Sequence, residues 1–347
     1  LAVSYLNSRG LKIKKFAVIL AGGQGKRFWP VSQPDFPKQF LSVFNNTPLI
    51  VQTMNRVKSY FKKNERVLII PEELKKLTYK YIGKEYTIIE PMRRNTAPAI
   101  CLTAMILKRD YGDGVLHVMP ADHLINPQKN FIEVLKYGQE LAKKGHLVTY
   151  GITPNRPETG YGYVEIGKGI GVHNTIKAFK GEGFTEKPSL IKAKKYIKSK
   201  KYLWNSGIFS FRIKNILAEM ENFIPEVYNG VMKFIKTNKK GYFQKIPDIS
   251  IDYGVMEKSK KLCVVKSNFV WDDVGSWLAL ERYSKKDKNG NILIGDVKGL
   301  EISDSIMYTS GVPLKAYGIK GLVIVVSPGG VLICKKEKAP DLKKLLK

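Results

Sequence analysis

The sequence predicts an α/β fold, a doubly wound, mostly parallel sheet followed by a small C-terminal β-rich domain. Three observations carry this expectation. From residue 16 to residue 152, short all-apolar runs alternate with stretches of helical period. Such runs read as strands buried on both faces, and their alternation with helices reads as βαβ units. The first run, Phe16-Ala-Val-Ile-Leu20, leads straight into the glycine loop Ala21-Gly-Gly-Gln-Gly-Lys-Arg27, as the first turn of a Rossmann-like sheet does. Beyond Asn291 the pattern changes to short apolar pieces separated by glycines and turns.

After the glycine loop, Pro34 and Pro37 make 32–39 irregular. Pro48 opens a helix of about three turns to Tyr60, with Leu49, Ile50, Thr53, Met54 and Val57 on one stripe. A strand over 67–70, a helix after Pro71 and a strand over 86–90 follow. Next come a loop over 91–96, a helix over 97–109, a strand over 115–119, a helix over 127–143 and a strand over 147–152. In such sheets ligands bind beyond the carboxyl ends of the strands. The loop at 22–27, Asn95-Thr96 and Asp122-His123 all fall at such ends. The alternation breaks in the long loop 153–163. Apolar strands are expected again at 164–166, after Trp204 and over 262–265, with a helix starting near Ser189. Strands over 292–297, 306–308, 316–319, 321–326 and 331–334 precede a basic helical tail. The expected division is a leader over 1–13, a main domain over 14–287 and the β-rich domain over 288–347.

Composition narrows the partners. At 347 residues the chain holds one large α/β domain and something smaller. The net charge of +29 raises the question of nucleic acid. The lysines, however, are spread over the whole chain, as in Lys75-Lys76, Lys143-Lys144, Lys194-Lys195 and Lys239-Lys240. No zinc finger or aromatic RNA-binding signature accompanies them, so they read as a solvated surface and no nucleic-acid partner is expected. Cys101, Cys263 and Cys334 form no disulfide or metal pattern, which suits a cytoplasmic location. No apolar run approaches ~18 residues, so no membrane association is expected.

Candidate chemistry gathers at the predicted strand ends. Gly22, Gly23 and Gly25 let backbone N–H groups face a ligand, and Lys26, Arg27 and Lys38 add positive charge, so the loop suits a phosphate chain. It is neither a Walker A loop nor a dinucleotide fingerprint, and a plain glycine turn is the alternative. Asp122 is a metal candidate or the cap of a turn, and His123 reads as a packing residue. Gly160 and Gly162 bring backbone close to a polar ligand such as a sugar, unless they only lead into a hairpin. Lys187 precedes Pro188 and is expected to be extended, so that Glu186 and Lys187 point to opposite sides. Asn205 offers a donor and an acceptor, which suits vicinal hydroxyls. Of Asp272 and Asp273, one is the second metal candidate, unless the pair only caps a turn between aromatic anchors.

Seven segments in order, spread over about residues 14–285, resemble one enzyme family, the mannose-1-phosphate guanylyltransferases, a branch of the sugar-1-phosphate nucleotidylyltransferases. They are the loop at 22–27 with Lys38-Gln-Phe40, Glu90-Pro-Met-Arg-Arg-Asn-Thr-Ala-Pro-Ala99, Pro120-Ala-Asp-His123, Pro157-Glu-Thr-Gly-Tyr-Gly-Tyr163, Phe184-Thr-Glu-Lys-Pro188, Trp204-Asn-Ser-Gly207 and Trp271-Asp-Asp-Val-Gly-Ser-Trp277. The chain departs from the family at Met92-Arg93, and 326–331 lacks an Asp often found there.

The resemblance implies a nucleotidyltransferase domain over 14–287 and the reaction of GTP with mannose 1-phosphate to give GDP-mannose and pyrophosphate. The sugar phosphate would attack the α-phosphorus in line. It implies that Leu20, Ala21, Gly22, Gly23, Gly25 and Arg27 bind the nucleotide. Arg94, Asn95 and Thr96 would read the base, although Asn95 and Thr96 also suit a helix cap. Gly160, Tyr161, Gly162, Glu186, Lys187 and Asn205 would bind the sugar phosphate. Arg27, Lys38 and Lys187 would be catalytic, and Asp122 and Asp273 would hold Mg²⁺. A homodimer through the C-terminal β segment is also implied. The chain is expected to end before the isomerase domain that some relatives carry. Two rivals remain at this point: a sister enzyme with another base or sugar, and a non-catalytic regulatory or RNA-binding protein on the same fold.

Overall fold

The computed structural model describes residues 13–346 except 24 and 45, so the expected leader lies outside the described residues but for Ile13. The first half alternates as expected: β1 (Lys14–Leu20), α1 (Leu49–Lys58), β2 (Arg66–Pro71), α2 (Lys75–Ile82), β3 (Tyr86–Glu90), α3 (Thr96–Tyr111) and β4 (Gly114–Pro120). Then come β5 (Leu124–Asn126), α4 (Gln128–Lys143), β6 (Leu147–Ile152), β7 (Tyr163–His173), β8 (Ile176–Thr185), α5 (Leu190–Ser199) and β9 (Tyr202–Arg212). The main domain closes with α6 (Ile213–Phe223), α7 (Pro225–Thr237), α8 (Lys240–Gln244), β10 (Leu262–Lys266), β11 (Val270–Asp272) and α9 (Leu280–Tyr283).

Successive side chains of a strand face opposite ways, and β1 shows the consequence. Ala17 and Ile19 join a core with residues of α1, α2 and α4. Phe16 and Val18 join another with α3, α6 and α7. The sheet runs β3-β2-β1-β4-β9-β6-β10-β8-β7 between these two layers. The pairs β3–β2, β2–β1, β1–β4 and β10–β6 are parallel. After residue 152 the additions are largely antiparallel: β9 enters between β4 and β6, and β7 and β8 form a long hairpin. The chain leaves β1 for β2 on one side and returns to β4 on the other. That is a topological switch point, with a crevice beyond Leu20 and its register partner Pro120.

The small domain contains β12 (Ile292–Ile294), β13 (Val297–Leu300), β14 (Ile306–Thr309), β15 (Leu314–Tyr317), β16 (Leu322–Ser327) and β17 (Gly330–Lys335). The sequence pattern suggests a single strand over 292–297. Gly295 breaks it, with a φ of +90° and no room for a Cβ, which would meet Thr309 O at 2.1 Å. The broken pieces stack as parallel coils, β12-β14-β16 and β13-β15. Their core includes Phe28, Leu41, Trp277 and Leu280 of the main domain, and Trp277 Nε1 donates to Trp29 O at 3.2 Å. The small domain therefore packs directly behind the segment that follows the glycine loop. Among the described residues no helix is long and apolar enough to cross a membrane.

Candidate active site

Two cavities open beyond the carboxyl ends of β1 and β4, and they share Leu20, Thr96 and Pro120. The first, of about 260 Å³, is bounded by Ala21, Gly22, Gly23, Glu90, Asn95 and Asp122. The second, of about 210 Å³, is bounded by Gly160, Tyr161, Gly162, Glu186, Asn205, Asp252 and Asp273.

The glycine loop is held from both sides. Ala21 N donates to Ile69 O at 3.0 Å, and Gln39 Nε2 donates to Ala21 O at 2.8 Å. Gly25 has a φ of +62°, and a Cβ there would lie 2.3 Å from Lys38 Cβ. Only glycine lets Lys38 approach the loop so closely. Lys38 is 7% exposed, and its Nζ donates to Asp122 Oδ2 at 2.8 Å and to the Asp273 carbonyl. One ammonium thus links an acid of the first cavity to a residue of the second. Burial alone would push the Asp122 carboxyl up, but the charge and hydrogen bond of Lys38 and the neighbouring His123 hold it below its ordinary value. His123 packs edge-on against Trp271 and accepts from its Nε1 at 3.1 Å, in line with a packing role. Arg27 Nη1 lies 3.1 Å from the place a Cβ on Gly275 would take, and the Asp273 carboxylate oxygens lie 2.8 and 3.0 Å from the same point. Gly275 is the space that lets Arg27 and Asp273 share this corner.

Asp272 and Asp273 divide their work. Asp272 is 2% exposed; it accepts from Arg282 Nε and Nη2 at 2.6 and 2.8 Å and from Val274 N at 2.7 Å. It holds a turn in which Val274 takes a φ of +41°, a strained value for a β-branched residue. Asp273, carried by that turn, faces the cavity. Among the described residues no three His, Cys, Asp or Glu side chains group as a metal cage.

The base segment differs from expectation. Arg94 donates to Gln244 O on α8 and is not part of the cavity wall, whereas its neighbour Arg93 is. Asn95 does cap α3, accepting from Thr96 N at 2.9 Å, and it also donates to Asp248 Oδ1 at 3.0 Å. Thr96 Oγ1 accepts from Ile251 N at 2.8 Å. Glu90 opens the stretch 90–96 expected to face the base, but only Arg94, Asn95 and Thr96 of that stretch are expected to read it. Glu90 is 6% exposed, its Oε1 has no hydrogen-bond partner, and burial first of all pushes its carboxyl up to about 7. The available signal is an acid ending an otherwise apolar strand.

In the second cavity, the expectation that Glu186 and Lys187 diverge is overturned. Lys187 has a φ of +49°, and this left-handed turn folds its ammonium back onto the Glu186 carboxylate. Glu186 borders the cavity; Lys187 is largely exposed and does not. Asn205 is already engaged, since its Oδ1 accepts from Thr149 Oγ1 at 2.7 Å and its Nδ2 donates to Asp252 Oδ1 at 2.8 Å. The acceptor that remains beside it is Asp252, which sequence reasoning misses. Burial, then the Glu186 charge, pushes its carboxyl up to about 6. It sits on a single π-helical turn, Asp252–Met256, a distortion often found at functional sites.

A switch-point crevice with a phosphate-type loop, flanking cations and two carboxylates defines the class: a nucleotidyl transferase. Residues 16–290 match the family described as Nucleotidyl transferase, and residues 295–347 match the MannoseP isomerase/GMP-like beta-helix domain. A mannose-1-phosphate guanylyltransferase of Klebsiella pneumoniae is 37% identical over 341 residues, covering 94% of this chain and 72% of that protein. One from Escherichia coli is 37% identical over 342 residues, with the same coverage. A solved structure from Thermus thermophilus, described as a mannose-1-phosphate geranyltransferase, is 32% identical, with a TM-score of 0.86 over 96% of this chain and 98% of that one. The chain belongs to the mannose-1-phosphate guanylyltransferase family. Nucleotidyl transferases typically use a divalent metal.

Proposed function

We propose that this chain joins GTP to mannose 1-phosphate and releases pyrophosphate, leaving GDP-mannose. The observation that carries the reading is the pair of adjoining cavities with Lys38, Asp122, Asp273 and Arg27 at or beside their junction. A nucleotide in the first cavity and a sugar phosphate in the second would meet there. The attacking phosphate oxygen is already anionic, so no base is required. The protein's task is to align two polyanions and offset their repulsion. Arg27 and Lys38 face the triphosphate. Lys187 exchanges Glu186 for the sugar phosphate, and Asp252, Glu186 and the second Nδ2–H of Asn205 take sugar hydroxyls.

The donors fit magnesium, a hard ion usually held by one or two carboxylates together with phosphate oxygens and water. Asp122 and Asp273 would hold it, and when bound it polarises the α-phosphoryl group. For the base, Glu90 replaces Arg94 in the expected set. An ionised carboxylate only accepts, and guanine presents two adjacent donors, N1–H and N2–H₂. A homodimer through the small domain is supported by the exposed Val331 and Ile333 on β17, and sedimentation as a monomer at micromolar concentration would refute it. A cytoplasmic location is supported by three free cysteines. The test of the reaction is pyrophosphate release. It should require GTP and mannose 1-phosphate together, and release without the sugar phosphate, or equally with another sugar phosphate, would refute it.

A further inference from the structure

We infer that Tyr161 is a positioning residue that ties the loop of the sugar cavity to the Asp273 carboxylate, so that metal holding and sugar-phosphate binding are coupled through one side chain. The inference rests on Asp273 being a metal ligand. Tyr161 is 7% exposed, and its ring is set edge-on between Trp204 and Trp271, with centroids 5.2 and 4.9 Å away. Two large aromatic neighbours leave it one orientation. In that orientation Oη donates to Asp273 Oδ1 at 2.9 Å and accepts from Arg156 Nη2 at 3.2 Å. Arg156 is itself fixed, pairing with Glu158 at 3.1 Å and stacking over Trp204 at 4.9 Å. The hydroxyl therefore has a donor behind it and the Asp273 carboxylate in front, with Asp272 Oδ1 at a longer 3.5 Å.

The backbone of the same residue belongs to the sugar site. The Tyr161 carbonyl accepts from Lys187 N at 3.2 Å, and the next carbonyl, Gly162 O, accepts from Asn205 N at 2.8 Å. A Cβ on Gly162 would stand 2.5 Å from Glu186 Oε2, so a side chain there would displace that carboxylate. Asp273 is thus held at three points. Its carbonyl meets Lys38, its Oδ1 meets Tyr161, and its place in the turn is kept by Asp272 and Arg282. Both carboxylate oxygens stand beside Gly275, where Arg27 also comes close. A shift of the loop 160–162 on sugar binding moves the hydroxyl that orients the carboxylate, and a bound ion steadies the loop in return. Such coupling is reciprocal.

The test uses the full chain and Tyr161→Phe, which keeps the ring and removes only the hydroxyl. Manganese(II) is titrated in the presence of GTP and absence of sugar phosphate, with free ion followed by electron paramagnetic resonance. Tyr161→Phe should weaken manganese binding about tenfold, the size of one lost charge-assisted hydrogen bond. It should also raise the KM for mannose 1-phosphate by a similar factor and leave the KM for GTP at saturating metal nearly unchanged. In an Asp273→Asn background the same substitution should cost no further metal affinity, which a purely structural role would not predict. Parent-like manganese binding by Tyr161→Phe, or an equal loss in both backgrounds, would overturn the coupling alone. Parent-like manganese binding by Asp273→Asn would instead remove the metal assignment, and the coupling with it.

Discussion

Glu90→Gln tests the base pocket most sharply. The parent carboxyl ionises at about 7 in the folded protein against an ordinary value near 4.5, with burial the main cause. A raised acid pKa means that the folded state prefers the proton. Its contribution to stability is therefore neutral below pH ~4.5, turns unfavourable as pH rises to ~7, and is constant above, reaching about 3 kcal/mol at most. The glutamine variant lacks this penalty. It should melt higher than the parent at pH 8 and at the same temperature at pH 4.5, measured by calorimetry without ligand. The catalytic consequence runs the other way. Glutamine turns a donor toward one of the two guanine donors and loses the charge that strengthens the other contact. With a charge-assisted bond worth roughly 1.5–3 kcal/mol, kcat/KM for GTP should fall at least ~10-fold. The parent should lose GTP efficiency about tenfold per pH unit below 7, as the acceptor becomes protonated, and the variant should lack that dependence. Inosine triphosphate, which lacks N2–H₂, should be a poorer substrate than GTP for the parent and nearly equal for the variant. Parent-like use of GTP by Glu90→Gln, with the GTP-to-inosine preference intact, would show that Glu90 does not read the base.

Asp273→Asn should abolish turnover and leave the melting temperature unchanged. Asp272→Asn should retain most of kcat yet lose about 1.5–3 kcal/mol of stability, because it breaks the bidentate pair with Arg282; equal kinetic losses at both positions would show that the turn was misread. Lys38→Ala should raise the requirement for GTP and Lys187→Ala that for mannose 1-phosphate, each by ~10–150-fold. If Lys187→Ala altered GTP dependence alone, the two phosphate subsites would be reversed. In competition with mannose 1-phosphate present, GTP should exceed ATP and UTP by at least ~100-fold in efficiency, and comparable use of ATP would remove the guanine preference.

Local pattern explains what could be read from the chain. β1 to β4 and their helices follow from buried apolar runs and helical stripes, which involve only neighbours in sequence. The loop at 22–27 follows from glycine chemistry, and the parallel order of the first strands from the spacing of the units. The candidate site was legible in outline for the same reason, since Asp122, Asp273 and Gly160 to Gly162, which border the two cavities, lie at strand ends or in marked turns. What escaped depends on distant partners. Asp252 acquires meaning only from Asn205, and Asp272 becomes structural only because Arg282 reaches it. Arg94, expected to read the base, is taken by Gln244, and its neighbour Arg93 borders the cavity instead. The local rule for a residue before proline failed at Lys187, where the Tyr161 carbonyl and the Glu186 charge hold a left-handed turn against it.

The packing of Phe28 against the small domain bears on how this enzyme can be altered. Arg27, beside the candidate cleft, adjoins Phe28, which shares one core with Ile306, Val325 and Leu342. A protein trimmed after α9 would keep every residue of the cleft and lose the wall behind one of them. It would also bare Phe28, Leu41 and Trp277 to water, an invitation to aggregate. The β-helix thus buttresses the candidate cleft. Exchange of that domain between relatives should succeed only where the apolar faces at both sides of the joint travel together.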